Sequence, residues 1–92
     1  MDPQAAEDLR RNSIPVVTVG AQLVRGITFL PQQLSAYVPH GTYEVGPQTI
    51  VDFRDRGQDR TAQGVPLRDI LSGALWYVSP AAARQLQTEA AR

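Results

Sequence analysis

The sequence contains no cysteine. A chain without cysteine cannot form a disulfide, hold zinc through thiolates or use a thiol as a nucleophile, so these three kinds of chemistry are excluded. The absence leaves the cellular compartment open, because a protein without disulfides is compatible with any of them.

The sequence also lacks lysine and an excess of either charge. Its nine basic residues are all arginine, and nine acidic residues balance them to a formal net charge of zero. Bulk attraction to nucleic acid or to an anionic membrane is therefore not expected. No apolar run is long enough to cross a bilayer, and the acidic start M-D-P-Q-A-A-E-D lacks the apolar segment of a signal peptide. We expect a cytoplasmic protein.

The chain has 92 residues, 42% of them hydrophobic, which predicts a small globular unit rather than a disordered one. Composition and turn residues divide it into three segments. These are residues 1–38, a connector over 39–64 with a short strand and a charged loop, and a helical extension over 65–92.

Local patterns predict the elements of each segment. The first segment should contain a helix over 3–11, an apolar strand over Ile14–Val19, a turn at Gly20–Ala21, a strand over Gln22–Arg25 and a short helix after Thr28. The connector should contain a strand over Thr49–Arg54 and a solvated loop over Asp55–Gly64.

The third segment shows the clearest helical pattern. Six apolar residues follow the spacing i, i+3, i+4, i+7, i+8 and i+11, namely Leu67, Ile70, Leu71, Ala74, Leu75 and Val78. This spacing predicts an amphipathic helix that begins near Pro66. Ser79 followed by Pro80 then predicts the start of a last helix over 81–91.

The first segment also resembles a known family. The run S-I-P-V-V-T-V, the hairpin V-G-A-Q-L-V-R and Gly26 before a helix are similar to the C-terminal half of a glutaredoxin-like domain, which has the thioredoxin fold. The resemblance covers residues 2–38. It implies an α+β fold, a partial thioredoxin-like unit of helix, β-hairpin and helix followed by a short strand and a helical extension. The family's N-terminal C-x-x-C part is lacking, which should leave an uncovered edge on the strand of Val16, Val17 and Val19.

The resemblance implies a function as well. Family members are glutathione-dependent thiol–disulfide oxidoreductases, and a chain without cysteine would be a redox-inactive remnant or fragment of one, with no catalytic residue. Docking of glutathione or an extended peptide would use the backbone at Ile14 and Pro15, with Arg25 and Gly26 nearby. No cofactor other than glutathione is implied.

The C-terminal stretch from Asp59 to Val78 bears a fainter similarity to the DinB-like helical bundle, which binds metal through histidines. The predicted helix over Leu67–Val78 has no histidine, so we expect no metal site.

A second interpretation makes the chain a small protein–protein interaction module. It would assemble with itself or with a partner chain through the exposed strand edge and the amphipathic helix over Leu67–Val78. Neither a nucleic acid nor a membrane is an expected partner.

Overall fold

The computed structural model describes residues 14–29 and 31–90, and within them the chain forms a curled antiparallel sheet of seven strands and one helix. The strands are β1 (Val16–Val19), β2 (Arg25–Thr28), β3 (Leu34–Tyr37), β4 (Gly41–Val45), β5 (Thr49–Asp55), β6 (Gln58–Asp69) and β7 (Leu75–Val78), and helix α1 spans Pro80–Ala90.

The strands lie side by side in the order β1-β4-β6-β7-β2-β3, and β5 pairs with the first half of β6. Strands β1 and β2 follow each other in the chain, yet β4, β6 and β7 lie between them. The sheet is therefore assembled from parts that are distant in sequence. Its two end strands are β1, which pairs with β4, and β3, which pairs with β2.

Strands β4, β5 and β6 form one long hairpin with a bend in it. Val45 pairs with Leu67 and Thr49 pairs with Gly64, so the three residues 46–48 lie opposite the two residues 65 and 66. This extra residue is a β-bulge, which bends the strand that contains it. The N–H of Gly46 donates to the Pro66 carbonyl at 2.9 Å across the bend.

Beyond the bend, residues 49–64 project as a two-stranded arm. Its tip is a two-residue turn in which Arg56 and Gly57 both have positive φ, at 52° and 80°. Two successive positive φ values are typical of the type I′ turn, whose twist suits a tight hairpin. We call residues 49–64 the arm.

The hydrophobic core lies on the concave face of the sheet, under α1. Alternate residues of the central strands point into it because strand side chains alternate between faces. Ser79 begins the helix, since its Oγ accepts a hydrogen bond from the Ala82 N–H at 3.1 Å. The buried core residues are Val17, Val19, Val24, Val38, Tyr43, Val45, Val65, Leu67, Trp76, Val78, Ala83 and Leu86.

The predicted thioredoxin-like unit of helix, β-hairpin and helix is wrong. Strands β1 and β2 do not pair with each other, and the helix expected after Thr28 is replaced by β3. The strand prediction near Ile14–Val19 is confirmed by β1, although only Val17 and Val19 are buried and Val16 is exposed. The helix predicted over 3–11 lies outside the described residues.

The predicted helical extension is also wrong over Leu67–Val78, which spans the end of β6, a turn and β7. In a strand pair the core needs alternate residues, so Leu67 and Val78 are buried while Ile70 and Leu71 lie exposed in the turn. Gly73 has a φ of 78° there, which a regular helix does not tolerate. The faint DinB-like similarity is therefore wrong too.

In the connector, the strand predicted over Thr49–Arg54 is confirmed by β5. The loop predicted over Asp55–Gly64 is wrong, because from Gln58 onward it pairs residue by residue with β5. The capping role of Ser79 and the C-terminal helix are confirmed. Within the described residues, no helix is long and apolar enough to cross a membrane.

The helical pattern places Leu67 and Leu71 on the same apolar stripe, but their substitution should have very different effects on stability. Leu67 is fully buried, whereas Leu71 is 93% exposed. We expect Leu67→Ala to lower the free energy of unfolding by about 2–5 kcal/mol, because it removes packed methyl groups and leaves a cavity. Leu71→Ala should change it by less than about 0.5 kcal/mol. Urea denaturation of both variants measures this, and equal losses would contradict the strand assignment.

A second prediction concerns Tyr43, whose hydroxyl donates to the Pro39 carbonyl at 2.7 Å. Burial, followed by the nearby Asp69 carboxylate, raises the pKa of Tyr43. Because the folded-state pKa lies above the unfolded value, the folded state resists deprotonation, and stability falls as the pH rises above about 10. The slope attributable to Tyr43 cannot exceed about 1.4 kcal/mol per pH unit.

The composition makes this measurement unusually clean. With no lysine or cysteine in the chain, tyrosine is the one side-chain type present whose ordinary pKa lies between about 9 and 12. Urea unfolding across this range should show a decline that Tyr43→Phe removes and that Tyr37→Phe, at a half-exposed site, leaves in place. A decline that is unchanged in Tyr43→Phe would show that another group causes it.

Candidate functional site: the open sheet edge and the arm cleft

Strand edges are the first candidate sites, because their outward N–H and C=O groups can pair with another chain. At β1, a glutamine side chain occupies part of the edge. The bond from the Val45 N–H to the Pro15 carbonyl fixes the register, which turns the backbone of Thr18 outward. Gln22 Nε2 donates to the Thr18 carbonyl at 3.2 Å, and Gln22 Oε1 accepts from the Gly20 N–H at 2.9 Å.

The edge of β5 has a second glutamine. In a hairpin closed by a two-residue turn, the register points the backbone of Arg54 away from β6. Gln33, in the loop between β2 and β3, binds both of these outward groups. Its Oε1 accepts from the Arg54 N–H at 3.0 Å and its Nε2 donates to the Arg54 carbonyl at 3.4 Å. The side chain thus substitutes for a neighbouring strand and ties the arm to the sheet.

The edge of β3 has no such side chain. The bond from the Val38 N–H to the Val24 carbonyl fixes the β2–β3 register, so the backbones of Ser35 and Tyr37 point away from β2. Among the described residues, no hydrogen-bond partner is found for these outward groups. Within the part of the chain that the structure describes, the edge of β3 is therefore open to pairing.

A cation lies beside this open edge. Arg25 lies on β2, opposite Tyr37 of β3, and its guanidinium is 5.1 Å from the centre of the Tyr37 ring. Both side chains are exposed on the convex face of the sheet, which is the face away from the core. Within residues 14–29 and 31–90, the ion pairs that form use other arginines, so no described carboxylate is paired with Arg25.

The second candidate site is a cleft lined by residues of the arm and by residues on the convex face of the sheet. It has a volume of about 250 Å³. Val51 of the arm is buried beside Tyr77, and a Cβ on Gly64 would come within 2.6 Å of a Val51 methyl group, so glycine is needed for this close approach. We call this space the arm cleft. It is lined by Arg25, Gly26, Ile27, Ser35, Val51, Phe53, Ala62, Gln63, Gly64, Tyr77, Val78 and Ser79.

The structure does not bring the four predicted docking residues together. Ile14 and Pro15 precede β1 and line a shallow hollow beside Glu44 and Arg68. Arg25 and Gly26 lie on β2 and line the arm cleft. Three strands separate β1 from β2, which amounts to roughly 19 Å at the usual strand spacing.

The comparisons with known proteins give no family for this chain. No protein-family model matches it. No curated protein and no solved structure shows a significant match either. Together with the antiparallel sheet, this finding shows that the resemblance to a glutaredoxin-like domain is wrong. Docking of glutathione stays a prediction, and the fold from which it was inferred is not the fold of this chain.

The residues of the open edge were missed by the sequence-based prediction, which placed them in a helix. One signal was available: L-S-A-Y is a four-residue run between Pro31 and Pro39, and proline-bounded short runs with aromatic residues favour strands. In the part of the chain that the structure describes, no three His, Asp or Glu side chains cluster, so no candidate metal site is found there.

The arm's attachment can be tested through Gln33. Gln33→Ala removes the acceptor of the Arg54 N–H, so we expect the hydrogen exchange of that amide to rise by about threefold to tenfold, in line with the loss of one hydrogen bond. Gln32→Ala is the matched control, because its exposed side chain has no hydrogen bond to the described residues. If both variants leave the Arg54 amide equally protected, Gln33 does not hold the arm.

Proposed function

We propose that the protein is an interaction module that binds an extended segment of a partner protein along the open edge of β3. The observation that carries this proposal is the contrast between edges. A glutamine side chain binds at least one outward group at β1 and at β5, whereas no outward group of Ser35 or Tyr37 has a partner among the described residues. Adding a strand to such an edge is a common way to bind peptides.

The side chains beside the edge indicate what kind of segment would fit. On the convex face, Arg25 and Tyr37 favour an acidic side chain, since the guanidinium has no carboxylate partner in the described residues. On the opposite face, Leu34 is half exposed and Ala36 packs against the core, which favours an aliphatic side chain. Because strand side chains alternate between faces, the partner should alternate acidic and aliphatic residues.

A synthetic peptide provides the test. The probe is a blocked hexapeptide that alternates valine and glutamate, and its control replaces each glutamate by lysine. In amide NMR at millimolar peptide, the glutamate peptide should shift the Ser35 and Tyr37 signals and bind at least about fivefold more tightly than the lysine peptide. Absence of shifts at these amides, or equal binding of the two peptides, would overturn the proposal.

Proline substitutions localise the edge. Ser35→Pro removes an outward N–H while leaving the hydrogen bonds to β2, so the fold should persist and peptide binding should fall by about tenfold. Thr18→Pro removes the equivalent outward N–H at the β1 edge and should leave peptide binding unchanged. Equal effects of the two substitutions would contradict an edge-specific site.

The charge preference has its own pair of variants. Arg25→Gln should abolish the preference for the glutamate peptide, because it removes the cation beside the edge. Arg84→Gln removes an exposed arginine of α1 and should leave that preference intact. If the Tyr37 amide, which lies outside the arm cleft, instead shifts with protein concentration in the absence of peptide, a second copy of the chain occupies the edge and a peptide-binding role is contradicted.

A further inference from the structure

The turn between β6 and β7 is unusually well fixed for a surface loop. One carboxylate oxygen of Asp69 accepts from the N–H groups of Leu71 at 2.8 Å and Ser72 at 3.2 Å. The Asp69 N–H donates to the Ala74 carbonyl at 2.9 Å, and the Asp69 carbonyl accepts from the Gly73 N–H at 2.8 Å. A segment that is already ordered loses little conformational entropy when it binds.

This turn presents aliphatic side chains to solvent. Leu71 is 93% exposed and the adjacent Ile70 is 49% exposed. Isolated exposed leucines are common on protein surfaces, but tight turns are usually built from small and polar residues. Here two large aliphatic residues stand next to each other on a rigid support, which is the form of an anchor that fills an apolar pocket.

The arm cleft is a pocket of suitable size and chemistry. Its volume of about 250 Å³ exceeds the roughly 150 Å³ of an apolar cavity that holds benzene, so a leucine side chain fits. Val51, Phe53 and Tyr77 give it apolar walls. Arg25 is the charged residue of its lining, and Asp69 is the charged residue of the turn, so the two features carry opposite signs.

The turn cannot reach the cleft of its own molecule. Gly64 lies in the cleft wall, and the regular strand β6 continues from it to Asp69. Five residues of strand span roughly 17 Å, which holds the turn and the cleft apart. A turn that enters this cleft must therefore belong to another molecule, and a second copy of this chain supplies one of matching shape and charge.

We propose that the Ile70–Leu71 turn of one molecule inserts into the arm cleft of a second copy, so that molecules associate head to tail. Such a contact joins two different surfaces, and it leaves one free turn and one free cleft at the ends of each assembly. The contact is small beside the roughly 800 Å² per partner of a standard interface, so association is weak and depends on protein concentration.

Sedimentation velocity between micromolar and millimolar protein tests this association. The average mass of the natural chain should rise with concentration. Leu71→Asp should weaken association at least about tenfold, because it removes the aliphatic side chain that fills the apolar part of the cleft. Leu23→Asp is the matched control, because Leu23 is also exposed but lies on the loop before β2, and it should associate like the natural chain. A natural chain that stays monomeric at millimolar concentration overturns the proposal.

A mixing experiment separates head-to-tail from symmetric contact. Ala62→Trp fills the cleft and leaves the turn intact, whereas Leu71→Asp spoils the turn and leaves the cleft intact. Each variant alone should be monomeric, and an equimolar mixture should form a dimer of twice the monomer mass and nothing larger. A mixture that stays monomeric contradicts the head-to-tail arrangement.

Two further measurements complete the test. Circular dichroism should confirm that both variants are folded, and an unfolded Ala62→Trp is replaced by Ala62→Phe in the same mixture. Tyr37→Pro, which removes an outward N–H of the β3 edge at a residue outside the cleft lining, should associate like the natural chain. Loss of association in Tyr37→Pro would assign the contact to the β3 edge and overturn the role of the turn.

Discussion

Strand β6 must find hydrogen-bond partners along its whole length, and the remainder of the fold is arranged around that requirement. Its second half lies between β4 and β7 in the core sheet. Its first half, from Gln58 to Gly64, extends past the end of β7 and pairs with β5. The bulge at residues 46–48 lets one continuous stretch of chain serve both halves while the direction changes. Arm, bend and core sheet are therefore one hairpin rather than separate units.

Sequence-based prediction of secondary structure succeeded where a local pattern was compatible with one element only. The strand at β5 and the capped helix α1 follow from β-branched residues and from Ser79 before Pro80, and both are found. The region from Leu67 to Val78 had two readings, because its apolar residues fit a helical stripe and also two short alternating strands. Ser72 and Gly73 are turn residues in the middle of that stripe, and they indicated the second reading.

The candidate sites were less accessible to prediction because they depend on long-range pairing. Gln33 contacts Arg54 across 21 residues of sequence, and no local pattern reveals that contact. The expected edge at β1 does lie at an end of the sheet, but for a different reason, since β4 rather than a missing strand is its neighbour. Arg25 does line a cleft, yet the arm that forms the cleft was assigned to a solvated loop. The polar residues of Gln58–Gln63 have no apolar alternation to mark a strand.

The two glutamines at the sheet edges have a consequence that depends on their chemistry. Many proteins keep strand edges apart by charge, and that repulsion weakens as salt screens it or as carboxylates become protonated. Gln33 carries no ionisable group, and it occupies a backbone donor and a backbone acceptor directly. Its contact with the β5 edge should thus be the same in dilute and concentrated electrolyte and in mildly acidic solution. Gln22 differs, because its Nε2 also donates to the Glu89 carboxylate at 3.2 Å, so its contact with the β1 edge depends in part on a charged neighbour.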